Sequence, residues 1–243
     1  MRPDVVSVWP RHVDFPLWRA WLVRNRPYLG RVIVAFIEQH LPEDWREYAR
    51  REFDRIGGVT TLDAPRRDGE DWRDTAVNEC LDRCESEWVF FTEQDFLIWD
   101  DRAFRQAVST LAAKYDAIGF RERGDDRWHP ACMLVRRDVV DQTSRYFGAE
   151  PVDHFWAFGR EVAEITPFGD MTDYLHQSLF EIPVDFTHIG GLSRNEQLVD
   201  CGSYEEVRRP VEHAAYLRAC LAERCHPVWR ERSDAFIRWA ASR

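Results

Sequence analysis

Apolar and polar residues follow one another along this chain in blocks that switch between two periods. Residues 5–9 (VVSVW) are a short apolar run closed by Pro10, and they predict a first strand. Pro16 opens a helical pattern to about Leu22, with proline at a tolerated early position. Residues 31–37 (RVIVAFI) are apolar along nearly their whole length, which predicts a second strand covered on both faces. The polar stretch LPEDWREYARREF then predicts a partly helical connection, and residues 58–62 predict a third strand ending at Asp63. Residues 64–70 read as a loop. Over residues 71–84, Trp72, Ala76, Val77, Cys80, Leu81 and Cys84 recur at helical spacing. Residues 88–91 (WVFF) predict a fourth strand that runs into Thr92-Glu93-Gln94-Asp95 and then Phe96-Leu97-Ile98. A helix is expected near 102–113, with strands at 117–120 and 131–135. The pattern is irregular from there to about residue 200. Ser203 and Glu206 then form a capping box opening a helix with Val207, Val211, Ala214, Leu217 and Leu221 on one face. Pro227 ends that run, and a last amphipathic helix reaches Arg243.

Strands alternating with helices over the first hundred residues imply an α/β fold: a mostly parallel sheet, right-handed crossovers and helices on both faces. In such sheets ligands lie beyond the carboxyl ends of the strands. The polar residues there are Arg11, Asp14, Glu38, Asp63, Glu93 and Asp95. No Gly-x-Gly-x-x-Gly and no phosphate-loop motif occurs, which argues against a dinucleotide oxidoreductase and a P-loop NTPase.

Composition narrows the partners. A length of 243 residues fits one large domain, and 44% apolar with 31% charged residues is ordinary for a globular protein. The apolar runs are too short for a membrane span, and no signal-peptide pattern opens the chain, so a cytoplasmic protein starting near Met1 is expected. A net charge of −10 gives no overall attraction to nucleic acid or an anionic membrane. Lys114 is the single lysine, so arginine is the cation available for phosphate or carboxylate. Six cysteines are expected to stay reduced. Cys80 and Cys84 share a helix face, and Cys220, Cys225 and His226 lack the CxxC pair that would complete a zinc site.

The strongest chemical signal is WVFFTEQDFLI. A hydrophobic strand delivers Glu93 and Asp95 onto the next turn, and residues two apart in an extended segment point the same way. Paired carboxylates suit Mg²⁺ or Mn²⁺ with waters and phosphate oxygens. The run DWRDTAVNECLDRCESEWVFFTEQDFLI resembles the GT-A glycosyltransferases, family two especially. In that family a helix carrying Ala and Asn precedes an apolar strand that ends in Asp-x-Asp. Ala76-Val77-Asn78 and Glu87-Trp88-Val89-Phe90-Phe91 match, Glu93-Gln94-Asp95 is a Glu-x-Asp variant, and VVSVWP is similar to the family's first strand. The resemblance covers residues 5–98 well, 116–195 loosely, and nothing after Cys201.

The resemblance implies a GT-A-like (Rossmann-like) fold with a nucleotide-sugar half (1–100) and an acceptor half (101–200); the helical pattern over 201–243 is expected to complete a single domain over 1–243 as a C-terminal extension that covers the core or makes a homodimer contact. It implies a metal-dependent transferase that moves a sugar from a nucleotide-diphosphate sugar to an acceptor hydroxyl, of hexosyltransferase type and inverting. The implied donor residues are Pro10, Asp63, Asn78, Glu93 and Arg194, with Asp63 on the base and Arg194 on the diphosphate. Asp95 and His188, the latter after a late strand, are the implied ligands of Mn²⁺ or Mg²⁺. The family places a catalytic carboxylate in Gly-Glu-Asp-x-Asp at a helix start. Here Phe168-Gly169-Asp170-Met171-Thr172-Asp173 puts Met171 in its place, so the base falls to Asp170, Asp173 or Asp153. Trp128, Asp153 and Trp156 are the expected acceptor contacts. Two alternatives stand beside this reading. One is a GT-A-like binding protein without turnover. The other is a sugar nucleotidyltransferase, disfavoured because PRHVDFPLW after the first strand has no glycine.

Overall fold

The alternation read from the sequence becomes a layered sheet in a computed structural model that describes residues 1–9, 15–37, 41, 43–64, 72–93, 96–98, 101–121, 128–144, 154–171 and 186–188. The elements run β1 (Asp4–Trp9), α1 (Phe15–Asn25), a 3-10 turn (Arg26–Tyr28), β2 (Val32–Ile37), α2 (Glu43–Ile56), β3 (Val59–Ala64), α3 (Trp72–Leu81), β4 (Trp88–Thr92) and β5 (Phe96–Ile98). They continue as α4 (Asp101–Ala112), β6 (Ala117–Arg121), β7 (Trp128–Arg136), α5 (Arg137–Val140), α6 (His154–Ile165), β8 (Phe168–Asp170) and β9 (Phe186–His188). Seven strands form one sheet in the order β3-β2-β1-β4-β7-β6-β8. Only β7 runs against the others, pairing antiparallel with both β4 and β6. A second, two-stranded ribbon joins β5 and β9.

β1, β2 and β4 are buried on both faces, as the unbroken apolar run of β2 required. One face packs against α1, α2 and α4. Trp45, Ala49, Glu52 and Phe53 form the buried stripe of α2 at helical spacing. The other face packs against α3 and α6 through Ala76, Val77, Cys80, Phe158 and Val162. Three expectations shift. The helix over 71–84 stops at Leu81, and Cys84 stays buried with its thiol 3.6 Å from the Cys80 carbonyl. The strand over 131–135 extends to Trp128–Arg136. The stretch read as irregular contains α6 and β8, because β8 is only three residues and carries no periodicity of its own. The capping box at Ser203 and the terminal helices lie outside the described residues.

The amino ends of the strands are tied together by side chains bonded to backbone. Asp4, 1% exposed, accepts from Arg31 N–H (2.6 Å), Ser86 Oγ (2.7 Å), Glu85 N–H (2.6 Å) and Ser86 N–H (2.9 Å). That single carboxylate joins the starts of β1, β2 and β4. Burial by itself raises the Asp4 pKa, but the bonds from Ser86, Glu85 and Arg31 outweigh it and hold the carboxyl below the usual carboxylate value. Gly30 is required beside it: a Cβ there would lie 2.3 Å from Asp4 Oδ1. Arg26 donates to the carbonyls of Gly57, Leu29, Gly30 and Gly58, and Arg137 to those of Leu81 and Cys84. Gly57 and Gly58 take positive φ (78° and 66°) at the tight turn into β3, where other residues are strained.

Asp4→Ala leaves four donors without their acceptor and should lower stability by about 3 kcal/mol or more, read by urea denaturation at neutral pH. Because the native pKa is lowered, the Asp4 contribution is complete above about pH 4 and fades as pH falls through the lower native value. Asp4→Asn should therefore flatten the acid side of the stability profile. An unchanged acid slope would show that Asp4 is not the group responsible. Gly30→Ala should also destabilise, through its contact with the same carboxylate.

Candidate functional site

Parallel strands β1–β4 send their carboxyl ends to one edge, and the floor beneath that edge is aromatic. Trp9 closes β1 and pairs in register with Phe36. Around them pack Trp18 (ring centroids 5.1 Å from Trp9), Trp45 (5.6 Å from Phe36) and Phe53, stacked on Phe36 at 12°. Edge-to-face and offset aromatic pairs of this kind make a rigid base for whatever the strand ends carry.

Asp63 is the penultimate residue of β3, opposite Phe36 in the parallel register. Arg46 Nη1 lies 2.7 Å from its Oδ1, and Arg50 Nη2 bonds Oδ2. These arginines sit one helical turn apart on α2, so they grip the carboxylate from one helix face. Arg50 also lies over the Phe36 ring, 5.7 Å from its centroid. The sequence reading found Asp63 but missed both arginines, although their spacing before a strand-end carboxylate was the available signal. Asp63 keeps 36% of its side chain exposed, so each oxygen retains lone pairs toward solvent.

Glu93 follows β4 directly, with Thr92 Oγ1 donating to its carbonyl at 3.2 Å. Asp95 lies outside the described residues, but Phe96, its neighbour in sequence, opens β5. Phe96 pairs with His188 in the antiparallel ribbon. Directly opposed residues of an antiparallel pair have Cα atoms about 4.5–5.5 Å apart, so the His188 backbone lies beside that of Phe96. Phe96 and His188, more than ninety residues apart in sequence, are thus paired in one ribbon. Among the described residues no cluster of three metal-ligating side chains occurs.

Asp170 ends β8, and Phe91, Met133, Gly119 and Asp170 form one row across β4, β7, β6 and β8. Three strand spacings of about 4.8 Å set Asp170 about 14 Å from β4. That is too far to share one cation with Glu93, since metal–oxygen bonds are about 2.0–2.6 Å. It closes a strand, not the start of a helix. Met171 next to it is fully buried with Phe120 and Leu134 in the core. This is why methionine stands there: a carboxylate at that point would face apolar side chains.

Trp128 is a correction. Its ring stacks on Phe168 at 4.1 Å, and Gly119 makes room for it, since a Cβ there would lie 3.3 Å from the ring. Only 7% of Trp128 is exposed, so its aromatic face is used in packing, not on an acceptor. Asn78 is buried on α3, six residues and about 9 Å below Trp72. Trp156 lies in α6. Pro10, Asp153, Asp173 and Arg194 lie outside the described residues. Burial pushes the Cys80 thiol up, with Cys84 adding to it, and burial pushes up Cys132 as well. These are protonated structural thiols, as expected for them.

The arrangement is similar to that of known solved structures. TarS 1–349 from S. aureus aligns over 98% of this chain and 69% of its own, with TM-score 0.56 at 10% identity. A form in complex with UDP-GlcNAc aligns over 98% and 70%, with TM-score 0.54 at 10% identity. Mannosyltransferase PcManGT from Pyrobaculum calidifontis, in complex with GDP-Man and Mn²⁺, aligns over 99% and 72%, with TM-score 0.57 at 14% identity. No protein-family model and no curated protein matches the sequence. The chain therefore has a GT-A-like α/β fold, and the mostly parallel sheet expected from the sequence is the one observed.

Removing Asp63 and removing Trp9 should differ sharply. Asp63→Ala breaks exposed ion pairs and should cost no more than about 1 kcal/mol. Trp9→Ala empties the aromatic floor and should cost about 3–5 kcal/mol. Paired urea titrations check this, and equal losses would show that Asp63 is a structural residue, not one presented at the strand ends.

Proposed function

We propose that this protein is a metal-dependent glycosyltransferase that moves a hexosyl group from a nucleoside-diphosphate sugar to an acceptor hydroxyl, with inversion. The observation that carries this reading is the β5–β9 pairing, which sets His188 opposite Phe96, three residues after Glu93 in sequence. The fold likeness supports the same reading, since one relative of that shape is a mannosyltransferase described with GDP-Man and Mn²⁺. Carboxylate oxygens with one imidazole suit Mn²⁺, and carboxylates also serve Mg²⁺. Asp95 and His188 would hold the ion, which when bound supplies charge neutralisation at the leaving diphosphate.

The chain's own groups divide the remaining work. Asp63, gripped by Arg46 and Arg50, presents acceptor lone pairs to the donor base. Pro10 and Asn78 complete the donor side, and Glu93 receives the ribose. Arg194 offers a planar fork of donors to the diphosphate. Asp153 and Trp156 receive the acceptor. Asp170 or Asp173 takes the proton from the acceptor hydroxyl as its oxygen bonds the anomeric carbon. The bond from that carbon to the phosphate oxygen breaks on the opposite face, and the nucleoside diphosphate leaves with the electron pair. The separation of Asp170 from β4 supports this division, because a base must reach the acceptor and not the cation.

A thermal-shift screen of UDP, GDP, dTDP and CMP, each with and without Mn²⁺, tests the reading. One nucleotide at a hundred times its Kd should stabilise by about 2.7 kcal/mol. For a chain of this size that is a rise of about 5–10 °C in Tm. The rise should require Mn²⁺ and be lost in Asp95→Ala and His188→Ala. Nucleotide binding with no sugar transfer would identify a binding protein without turnover. No shift with any nucleotide would remove the donor assignment.

A further inference from the structure

The opposite end of the sheet holds a feature that the transferase reading does not use. Beneath the amino-terminal halves of β4 and the facing part of β7, between α1 and α4, lies a cavity of about 440 Å³. Its walls are largely apolar, with Trp21, Leu29, Phe90, Phe104 and Val108 among them. Cavities of about 300–1,000 Å³ with apolar walls and a few placed polar groups are the usual form of a small-molecule site.

The polar groups here are of a particular kind. Asn25 lines the cavity and is buried; its Nδ2 donates to the Trp21 carbonyl at 3.0 Å. Arg105 Nη1 donates to Asn25 Oδ1 at 2.9 Å, and its guanidinium lies over the Tyr28 ring, 4.1 Å from the centroid. Those contacts fix the guanidinium at the cavity wall. Arg105 makes no ion pair among the described residues, although the chain carries a net charge of −10 and its other arginines commonly hold carboxylates. Trp21, 4% exposed, keeps its indole N–H without an acceptor among the described residues. The wall therefore has spare donors and a spare positive charge beside apolar surface.

We propose that this cavity is a binding site for an amphipathic carboxylate, with its head on Arg105 and its hydrocarbon tail along Phe90, Phe104 and Val108. One Arg105 nitrogen is committed to Asn25, and the remaining edge of the guanidinium matches the two oxygens of a single carboxylate. The apolar walls supply the affinity for the tail, at about 25 cal/mol per Å² removed from water. A cavity of about 440 Å³ falls in the range of small-molecule sites, and a twelve-carbon carboxylate is taken as the probe. The site lies at the end of the strands away from Asp63 and Glu93, so it stands or falls independently of the sugar-transfer reading.

The test is calorimetric titration of the full chain with dodecanoate, kept below its micelle concentration, with dodecyltrimethylammonium of the same tail as the charge control. One-to-one saturable binding of dodecanoate, with binding of the cation at least tenfold weaker, is expected. Arg105→Gln should weaken dodecanoate at least tenfold, and Ala112→Phe, which fills the wall on α4, should abolish it. Should Ala112→Phe fail to fold, Arg105→Gln alone decides between a charge-selective site and general hydrophobic adsorption. Equal binding of both amphiphiles, or dodecanoate affinity unchanged by Arg105→Gln, overturns the proposal. So does the absence of saturable binding, which is the result if another part of this chain occupies the cavity.

Discussion

The fold hangs on a buried charge that has no counter-ion among the described residues. Asp4 is surrounded by three backbone N–H groups and one hydroxyl, and these dipoles replace the water it loses. Because its partners come from the entries to β2 and β4, the carboxylate sets where three parallel strands begin. Gly30 makes the approach sterically feasible, and Arg26 fixes the turn into β3 by the same means, side chain to backbone. Fixing the strands at their amino ends fixes their register, and register determines which side chains reach the other end.

That other end is built differently. Its floor is aromatic and closely packed, while the polar groups above it belong to strand termini and connections. Asp63 is held by two arginines of α2, Glu93 directly follows β4, and the β5–β9 ribbon pairs His188 with Phe96. β7, the one strand of the seven-stranded sheet that runs against the others, and β6 set a gap of three strand spacings between β4 and Asp170.

Much of this was legible in the residue pattern, for identifiable reasons. β2 is apolar throughout and β1 and β4 largely so, and α3 and α4 repeat at helical spacing, so burial alone specified them. The position of Glu93 straight after β4 was legible because a carboxylate there stands out against the buried strand. β8 and the β5–β9 ribbon were not, since three-residue strands have no period and exist only because a neighbour offers hydrogen bonds. Trp128 was misjudged for a related reason: an aromatic side chain reads the same whether it meets a sugar or Phe168.

By itself, then, the sequence determined the α/β class, the mostly parallel sheet and the acidic strand end, because hydrophobic burial acts locally and leaves its period in the chain. Only the tertiary structure decided what depends on long-range contact. It put two arginines on Asp63, brought His188 opposite Phe96 and sent Met171 into the core. It also left Arg105 beside an apolar cavity without a carboxylate partner among the described residues. Each is a meeting of distant segments, set by strand register and close packing, and no local pattern encodes it.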